Sequence, residues 1–371
     1  MIETMPKKSD LLRGANFEKS PFLVIWEITQ ACDLACRHCR ASSQPNRHPL
    51  ELTTEEGFRL MDDIRRFGRP LFVLSGGDPM KRDDLFDLIA YAKEIGLRIG
   101  LSPSGTPLLT RENLRKAHDS GLRSVSISID GPDKETHDSF RNVEGSFQWC
   151  LNGARWTREL GMDLQINTTI TRYNWQKLDE MAQLMEQLEI SRWSLFFLVP
   201  IGRGKVEDEI SAEEYEIVLN KLYDFSKSYR FRIKTTEAPH YRRVVVQRLS
   251  REMGVPVGKL IEETNSGKGR FLPGINDGKG FVFISHTGNI FPSGFLPIAG
   301  GNVRDDSLVD VYRESPIFKA LRDSDQLKGK CGRCEFRSIC GGSRSRAFAI
   351  TGDPLEADPY CAYEPGGTQG L

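Results

Sequence analysis

The chain carries no net charge, with 51 Lys and Arg balancing 51 Asp and Glu over 371 residues. Such a balance sets up no global field toward nucleic acid or an anionic membrane, and neither is expected as a partner. No apolar run approaches the roughly 18 residues that mark a membrane-spanning helix. Met1 to Ser20 is polar and charged and lacks the apolar core of a secretory signal, so the expected location is cytoplasmic. Low-complexity runs are missing, and so are internal repeats beyond an alternation of strand-like and helix-like segments. The length exceeds one small core and suits a large α/β domain with a smaller appendage.

What is present is cysteine, in two groups. Eight thiols in a cytoplasmic chain of this size read as metal ligands or catalytic groups before disulfides. Cys32, Cys36 and Cys39 are spaced x3 then x2, directly after the apolar run Pro21 to Thr29. Cys331, Cys334, Cys340 and Cys361 follow a spacing of x2, x5 and x20. Cys150 stands alone between Trp149 and Leu151 and reads as a buried small hydrophobe. A structural zinc site or a fully ligated iron–sulfur cluster takes four protein donors. Three close thiols therefore suggest a cluster with one metal corner open to a small molecule, a zinc loop being the plainer alternative. The later four complete a closed site, which zinc or an iron–sulfur cluster would satisfy equally.

Between the groups the pattern alternates. Thr53 or Thr54 caps a helix running to Arg66, followed by a short strand at Pro70–Ser75 that ends in Gly76-Gly77-Asp78-Pro79. Helices from about Asp83, Arg111, Ser146 and Asn174 precede strands at Leu97–Ser102, Ser124–Ile129, Asp163–Thr169 and Trp193–Val199. Apolar strands alternating with amphipathic helices imply parallel strands with right-handed crossovers. With Phe22–Thr29 this makes six strands, short of a closed barrel, so the expected fold is α/β, a (β/α)6 partial TIM barrel. Chemistry in such folds sits at the carboxyl ends of the strands. The cysteine triplet, Gly76-Gly77-Asp78, Ser102–Gly105, Asp130-Gly131 and Pro200-Ile201-Gly202 all fall at such ends. Within Ser126–Gly131 the alternation puts Ser126, Ser128 and Asp130 on one face, toward the barrel lumen if Ile127 and Ile129 pack under the helices. Residues 254–280 are rich in Gly, Ser and Asn and read as a linker or lid. A hairpin follows at Phe281–Pro292.

The triplet resembles the CxxxCxxC signature of the radical S-adenosylmethionine (SAM) enzymes. The resemblance extends from about Pro21 to Pro365. It implies a 4Fe–4S cluster on Cys32, Cys36 and Cys39 whose open iron chelates SAM. Cleavage of SAM to methionine and a 5′-deoxyadenosyl radical, followed by hydrogen abstraction from substrate, is the implied chemistry. Gly76, Gly77 and Asp78 match the family's GGE/GGD-P motif, where backbone groups bond the SAM ammonium and Asp78 adds an acceptor or orients the turn. Ser128 matches a serine that contacts the SAM ribose or carboxylate. Arg141 looks like an arginine that pairs with the SAM carboxylate, as a planar guanidinium suits, against the alternative of a surface-loop arginine. Leu198–Gly202 resembles the stretch that packs on adenine.

The tail, through Gly332–Gly342, Ala347–Asp353 and Asp358–Cys361, resembles the SPASM extension of these enzymes and favours iron over zinc. Departures from that pattern narrow it to the half-size twitch form. Ser293 stands where the cysteine of a GxxxxC element counted from Gly288 belongs, and Ser343 and Arg344 occupy the place of another. The missing ligands belong to the first of two auxiliary clusters, so one auxiliary 4Fe–4S cluster is implied, on Cys331, Cys334, Cys340 and Cys361, for electron transfer or structure. The implied layout is an N-terminal segment over 1–20, the partial barrel over 21–230, a connecting region or lid over 231–280 and the twitch domain over 281–371. The tail and Gly301–Leu308 look closest to enzymes of alternative-heme and denitrification-heme synthesis, which trim acidic side chains of tetrapyrroles. Lys234–Arg243 would then be a candidate substrate wall, with Arg242 and Arg243 on propionates, or merely a solvated helix start; the role of His240 stays open. Implied partners are a small-molecule substrate, tetrapyrrole or peptide, and an electron donor such as flavodoxin or ferredoxin. A peptide-modifying radical enzyme and a zinc-binding structural protein are the competing readings.

Overall fold

Seven parallel strands in chain order build the wall on which everything else is mounted. In the computed structural model, which describes residues 16–266 and 274–366, these are β1 (Leu23–Glu27), β2 (Leu71–Ser75), β3 (Arg98–Leu101), β4 (Ser124–Ser128), β5 (Asp163–Ile170), β6 (Arg192–Phe197) and β7 (Arg232–Thr236). The helices between them are α1 (Thr54–Arg65), α2 (Leu85–Glu94), α3 (Arg111–Ser120), α4 (Lys134–Arg141), α5 (Ser146–Glu159), α6 (Leu178–Gln187) and α7 (Ala212–Ser228). Thr53 and Ser211 start α1 and α7 with full capping boxes, closed by Glu56 and Glu214, which satisfy backbone N–H groups that the first turn leaves free.

Two-residue alternation sorts the strand faces. Val24, Trp26, Phe72, Leu74, Ile127, Ile166, Trp193 and Leu195 are buried against the helices in one continuous core. The opposite face of β4 to β7 carries Ser126, Ser128, Asn167, Ser194 and Lys234, so the lumen is polar there. The six strands expected from sequence are present, and the sheet continues beyond them on both sides. β7 extends it past β6, and β8 (Phe281–Ile284) returns to pair in parallel with β1, followed by antiparallel β9 (Asn289–Phe291) and β10 (Gly301–Asn302). β7 escapes pattern reading because Ile233 is the only apolar residue in Arg-Ile-Lys-Thr-Thr. The hairpin at Phe281–Pro292 forms as expected, but as part of the barrel sheet.

Of the region read as a linker or lid, residues 267–273 lie outside those described. The flanking chain is ordered as α8 (His240–Met253) and α9 (Val257–Asn265). Beyond β10 come α10 (Leu308–Glu314), α11 (Pro316–Arg322), α12 (Gly329–Gly332) and α13 (Arg344–Thr351). Phe17 is buried, and its carbonyl accepts the Tyr312 hydroxyl at 2.6 Å, so the segment at Phe17 is fastened to α10. Among the described residues no helix is long and apolar enough to cross a membrane.

Candidate active site

The loop of Cys32, Cys36 and Cys39 leaves the carboxyl end of β1 and is held by the loop that follows β2. Gly77 N–H donates to the Thr29 carbonyl at 2.8 Å and Asp78 N–H to the Ala31 carbonyl at 2.6 Å. A Cβ on Gly77 would lie 2.4 Å from the Ala31 oxygen, and one on Gly76 would lie 2.6 Å from that of Thr29. Both glycines thus permit backbone to meet backbone just before Cys32. Of its two expected roles, Asp78 takes the orienting one. Its carboxylate is fully buried and accepts from the Thr106 hydroxyl at 2.7 Å, Met80 N–H at 3.1 Å and Ser104 N–H at 3.4 Å. The Ser104 hydroxyl donates to the Gly77 carbonyl at 2.6 Å, and its oxygen is 3.6 Å from Cys32 Sγ. Gly77→Ala is expected to shift the cysteine loop and destabilise the fold by about 1–3 kcal/mol, the usual scale of overpacking. Thermal unfolding and iron content check this; wild-type values for both would show that the close approach is dispensable.

Each thiol of the triplet faces donors. Leu34 N–H approaches Cys32 Sγ at 3.4 Å, Ser43 N–H approaches Cys39 Sγ at 3.5 Å, and an Arg141 Nη approaches Cys36 Sγ at 3.6 Å. Burial pushes the Cys32 thiol up to about 11 and raises that of Cys36 as well. Cys32 and Cys36, buried, each met by an N–H donor and reluctant to ionise alone, suit a bound cation, which deprotonates a thiol outright. This donor set fits three iron corners. Arg203, absent from the sequence reading, straps the loop by donating to the Cys36 carbonyl at 2.9 Å and the Ser43 carbonyl at 3.3 Å. Its neighbour Gly202 has φ +63°, and a Cβ there would fall 2.4 Å from the Arg40 carbonyl. Pro200-Ile201-Gly202 therefore braces the cysteines.

Arg141 is not in a surface loop but part-buried. It ends α4, and its guanidinium donates to Asp130 Oδ2 at 2.5–2.6 Å. The other Asp130 oxygen accepts Thr169 N–H at 2.7 Å. Burial alone would lower the Arg141 pKa, but Asp130 and Cys36 hold it above its ordinary value, so a fixed positive charge stands beside Cys36. Sequence reasoning missed α4, whose Lys-Glu-Thr-His-Asp-Ser-Phe-Arg buries only His137, Asp138 and Phe140. Ser128 is half-buried at the end of β4, level with Asn167 on β5.

The second group also converges. Cys331, Cys334, Cys340 and Cys361 line one cavity of about 350 Å³, together with His240, Arg243 and Tyr363. Burial pushes Cys334 up to about 11 and Cys340 to about 12, while at Cys361 the contacts with His240 and Arg243 outweigh burial and lower it. Asp358 N–H approaches Cys331 Sγ at 3.5 Å, and an Arg344 Nη approaches it at 3.7 Å. His240 Nε2 stands 3.3 Å from Asp358 Oδ2, which links α8 to this cavity. Four thiols with N–H donors around them fit a fully ligated cluster.

The serines standing in cysteine positions have other work. The hydroxyls of Ser293 and Ser343 both donate to the buried carboxylate of Glu237, which carries a left-handed φ of 58°. Burial and the nearby Asp277 raise the Glu237 pKa to about 8. Arg242 and Arg243 differ from both readings of Lys234–Arg243, being neither solvated nor free for propionates. Arg242 donates to the carbonyls of Ile339, at 3.0 Å, and Ile275, and Arg243 pairs with Glu216. Arg242 thereby ties α8 to the cysteine-bearing tail, and Arg243 ties it to α7.

A model of the radical SAM superfamily matches residues 26–185. A protein of Oleidesulfovibrio alaskensis named AdoMet-dependent heme synthase is 43% identical over 345 residues, covering 92% of this chain and 87% of that one. A protein of the same name from Methanosarcina barkeri is 40% identical, over 94% of this chain and 98% of its own. Among solved structures, Streptococcus suis SuiB bound to S-adenosylmethionine is alike in fold, with a TM-score of 0.71 and 15% identity over 93% of this chain and 78% of its own.

Proposed function

Because the chain belongs to the radical SAM superfamily, we propose that it trims carboxylate side chains of a tetrapyrrole in a heme-forming oxidation. The observation that carries this reading is the 43% identity, across 92% of the chain, to a protein named AdoMet-dependent heme synthase. SAM and a 4Fe–4S cluster are the cofactors of the family. Cys32, Cys36 and Cys39 would hold that cluster, with the Gly76-Gly77 backbone and Ser128 facing SAM. Cluster and SAM when bound supply one-electron cleavage of SAM and abstraction of a hydrogen atom from substrate. Cys331, Cys334, Cys340 and Cys361 would hold an auxiliary 4Fe–4S cluster, whose chemistry there is electron transfer, since full protein ligation leaves no iron for substrate.

The chain's own residues do the positioning. Arg141 sets a positive charge beside Cys36, Asp78 and Ser104 fix the turn under the cysteine loop, and Arg203 closes it from the loop after β6. Phe196, Phe283 and Phe295 line the lumen with aromatic faces, the Phe196 and Phe295 rings lying 6.4 Å apart, which suits a flat conjugated body. A flavodoxin or ferredoxin would supply the electron, and the chain would work in the cytoplasm, away from nucleic acid and membrane.

Anaerobic incubation of the reconstituted protein with SAM, dithionite and either iron coproporphyrin III or unrelated peptides tests the reading. The expected result is that the tetrapyrrole alone raises 5′-deoxyadenosine yield, with loss of mass equal to CO2 and hydrogen. A peptide raising it instead would overturn the substrate assignment and favour peptide modification.

A further inference from the structure

The lumen face of β6 and β7 carries cations and hydroxyls and no carboxylate. Trp193, Leu195 and Phe197 pack into the core, so Arg192, Ser194 and Phe196 face the other way. Register places Ser194 beside Lys234 and Phe196 beside Thr236 on the same face. Ser194 is fully buried with an unpartnered hydroxyl, and the buried Thr236 hydroxyl is unpartnered as well. The Arg192 guanidinium donates to a neutral partner, Gln165 Oε1, at 3.0 Å. Lys234 makes no ion pair among the described residues, and its charged neighbours are the cations Arg192 and Arg242. Burial and that like charge push Lys234 down to about 8, and burial with Arg232 pushes Arg192 down to about 10.

Half-buried cations of like charge and orphaned buried hydroxyls work against folding. One anion among Lys234, Arg192 and Ser194 would relieve the penalty at all three: it neutralises the ammonium and guanidinium and accepts from the Ser194 hydroxyl. Parallel strands also fix where this happens. Arg192 is the first residue of β6 and Lys234 the third of β7, whereas the cysteine loop leaves the carboxyl end of β1. At about 3.3 Å per residue, Arg192 lies roughly 17 Å down the wall from the strand ends. An anion held here belongs to a long ligand that spans the lumen, with its reacting end at the cysteines. Phe196, one step above Ser194 on the same face, meets the flat part of such a ligand.

We propose that Lys234, Arg192 and Ser194 form a subsite for a non-reacting carboxylate of the substrate, setting which side chain reaches the radical at the other end. This rests on the tetrapyrrole reading above and assigns it a binding end that Arg242 and Arg243 do not provide. The test uses anaerobic holoenzyme, as wild type, Lys234→Met, Lys234→Arg and Arg192→Gln, with iron content and circular dichroism as controls for folding. Each form is titrated with iron coproporphyrin III (coproporphyrin III below), with its tetramethyl ester and with SAM. The expected result is that Lys234→Met and Arg192→Gln weaken coproporphyrin III at least tenfold and Lys234→Arg largely restores it. The ester should bind all forms alike, and SAM affinity should stay at the wild-type value. Equal coproporphyrin III affinity in all forms would overturn the subsite alone. Weakened SAM affinity would do the same, by moving the carboxylate to SAM. Failure of the wild type to bind coproporphyrin III would instead overturn the tetrapyrrole reading, and the subsite with it.

Discussion

Cys36→Ala should bring dithionite-driven cleavage of SAM down to the level of a protein-free control. Cys32, Cys36 and Cys39 are the only thiols of their loop, so losing one leaves too few protein donors for a cluster whose remaining corner must stay open to SAM. The loss should exceed the 10–100-fold that removal of an outer-shell partner costs at metal sites, about 2 kcal/mol or more. A second consequence is local: Arg141 keeps Asp130 but loses its sulfur neighbour, so the fold around α4 should survive. The check is 5′-deoxyadenosine released per chain under anaerobic conditions, alongside the circular dichroism spectrum. Full cleavage by a well-folded Cys36→Ala protein would sink the open-cluster assignment.

Cys334→Ala should separate the two clusters. Its thiol lines the cavity shared with Cys331, Cys340 and Cys361. The triplet loop is held instead by Gly77, Ser104, Arg141 and Arg203. Iron after anaerobic reconstitution should fall from about eight to about four per chain, each cubane contributing four. Cleavage of SAM should persist while product formation from the tetrapyrrole collapses, giving 5′-deoxyadenosine uncoupled from turnover. Wild-type protein holding about four irons with stoichiometric zinc would place the tail among the zinc sites instead.

Pattern reading recovered the parts of this molecule whose chemistry is local in the chain. β1 to β6 are legible because each buries an alternating apolar set, and the capping Thr53 announces its helix within four residues. β7 is not, since its polar lumen face and single apolar residue mimic a loop. Between the two roles the sequence leaves open for Asp78, no local pattern chooses, because its partner Thr106 comes from the loop after the next strand. The surroundings of Arg141 are hidden for the same reason: Asp130 and Cys36 reach it only in the folded chain. Within Lys234–Arg243, sequence does not separate the arginines, which face carbonyls and Glu216, from Lys234, which faces the lumen.

Cysteine count and spacing, by themselves, determined that seven of the eight thiols fall in two separate groups and that one group is short of a fourth sulfur, because a loop of eight residues brings its own thiols together whatever surrounds it. Only the tertiary structure decided which polar side chains are occupied and which are free. Ser293 and Ser343 meet Glu237, and Ser194 lies beside Lys234, across separations of 40 to 106 residues along the chain. Pairings that distant are set by strand register and the packing of the tail on the barrel, and no local pattern records them.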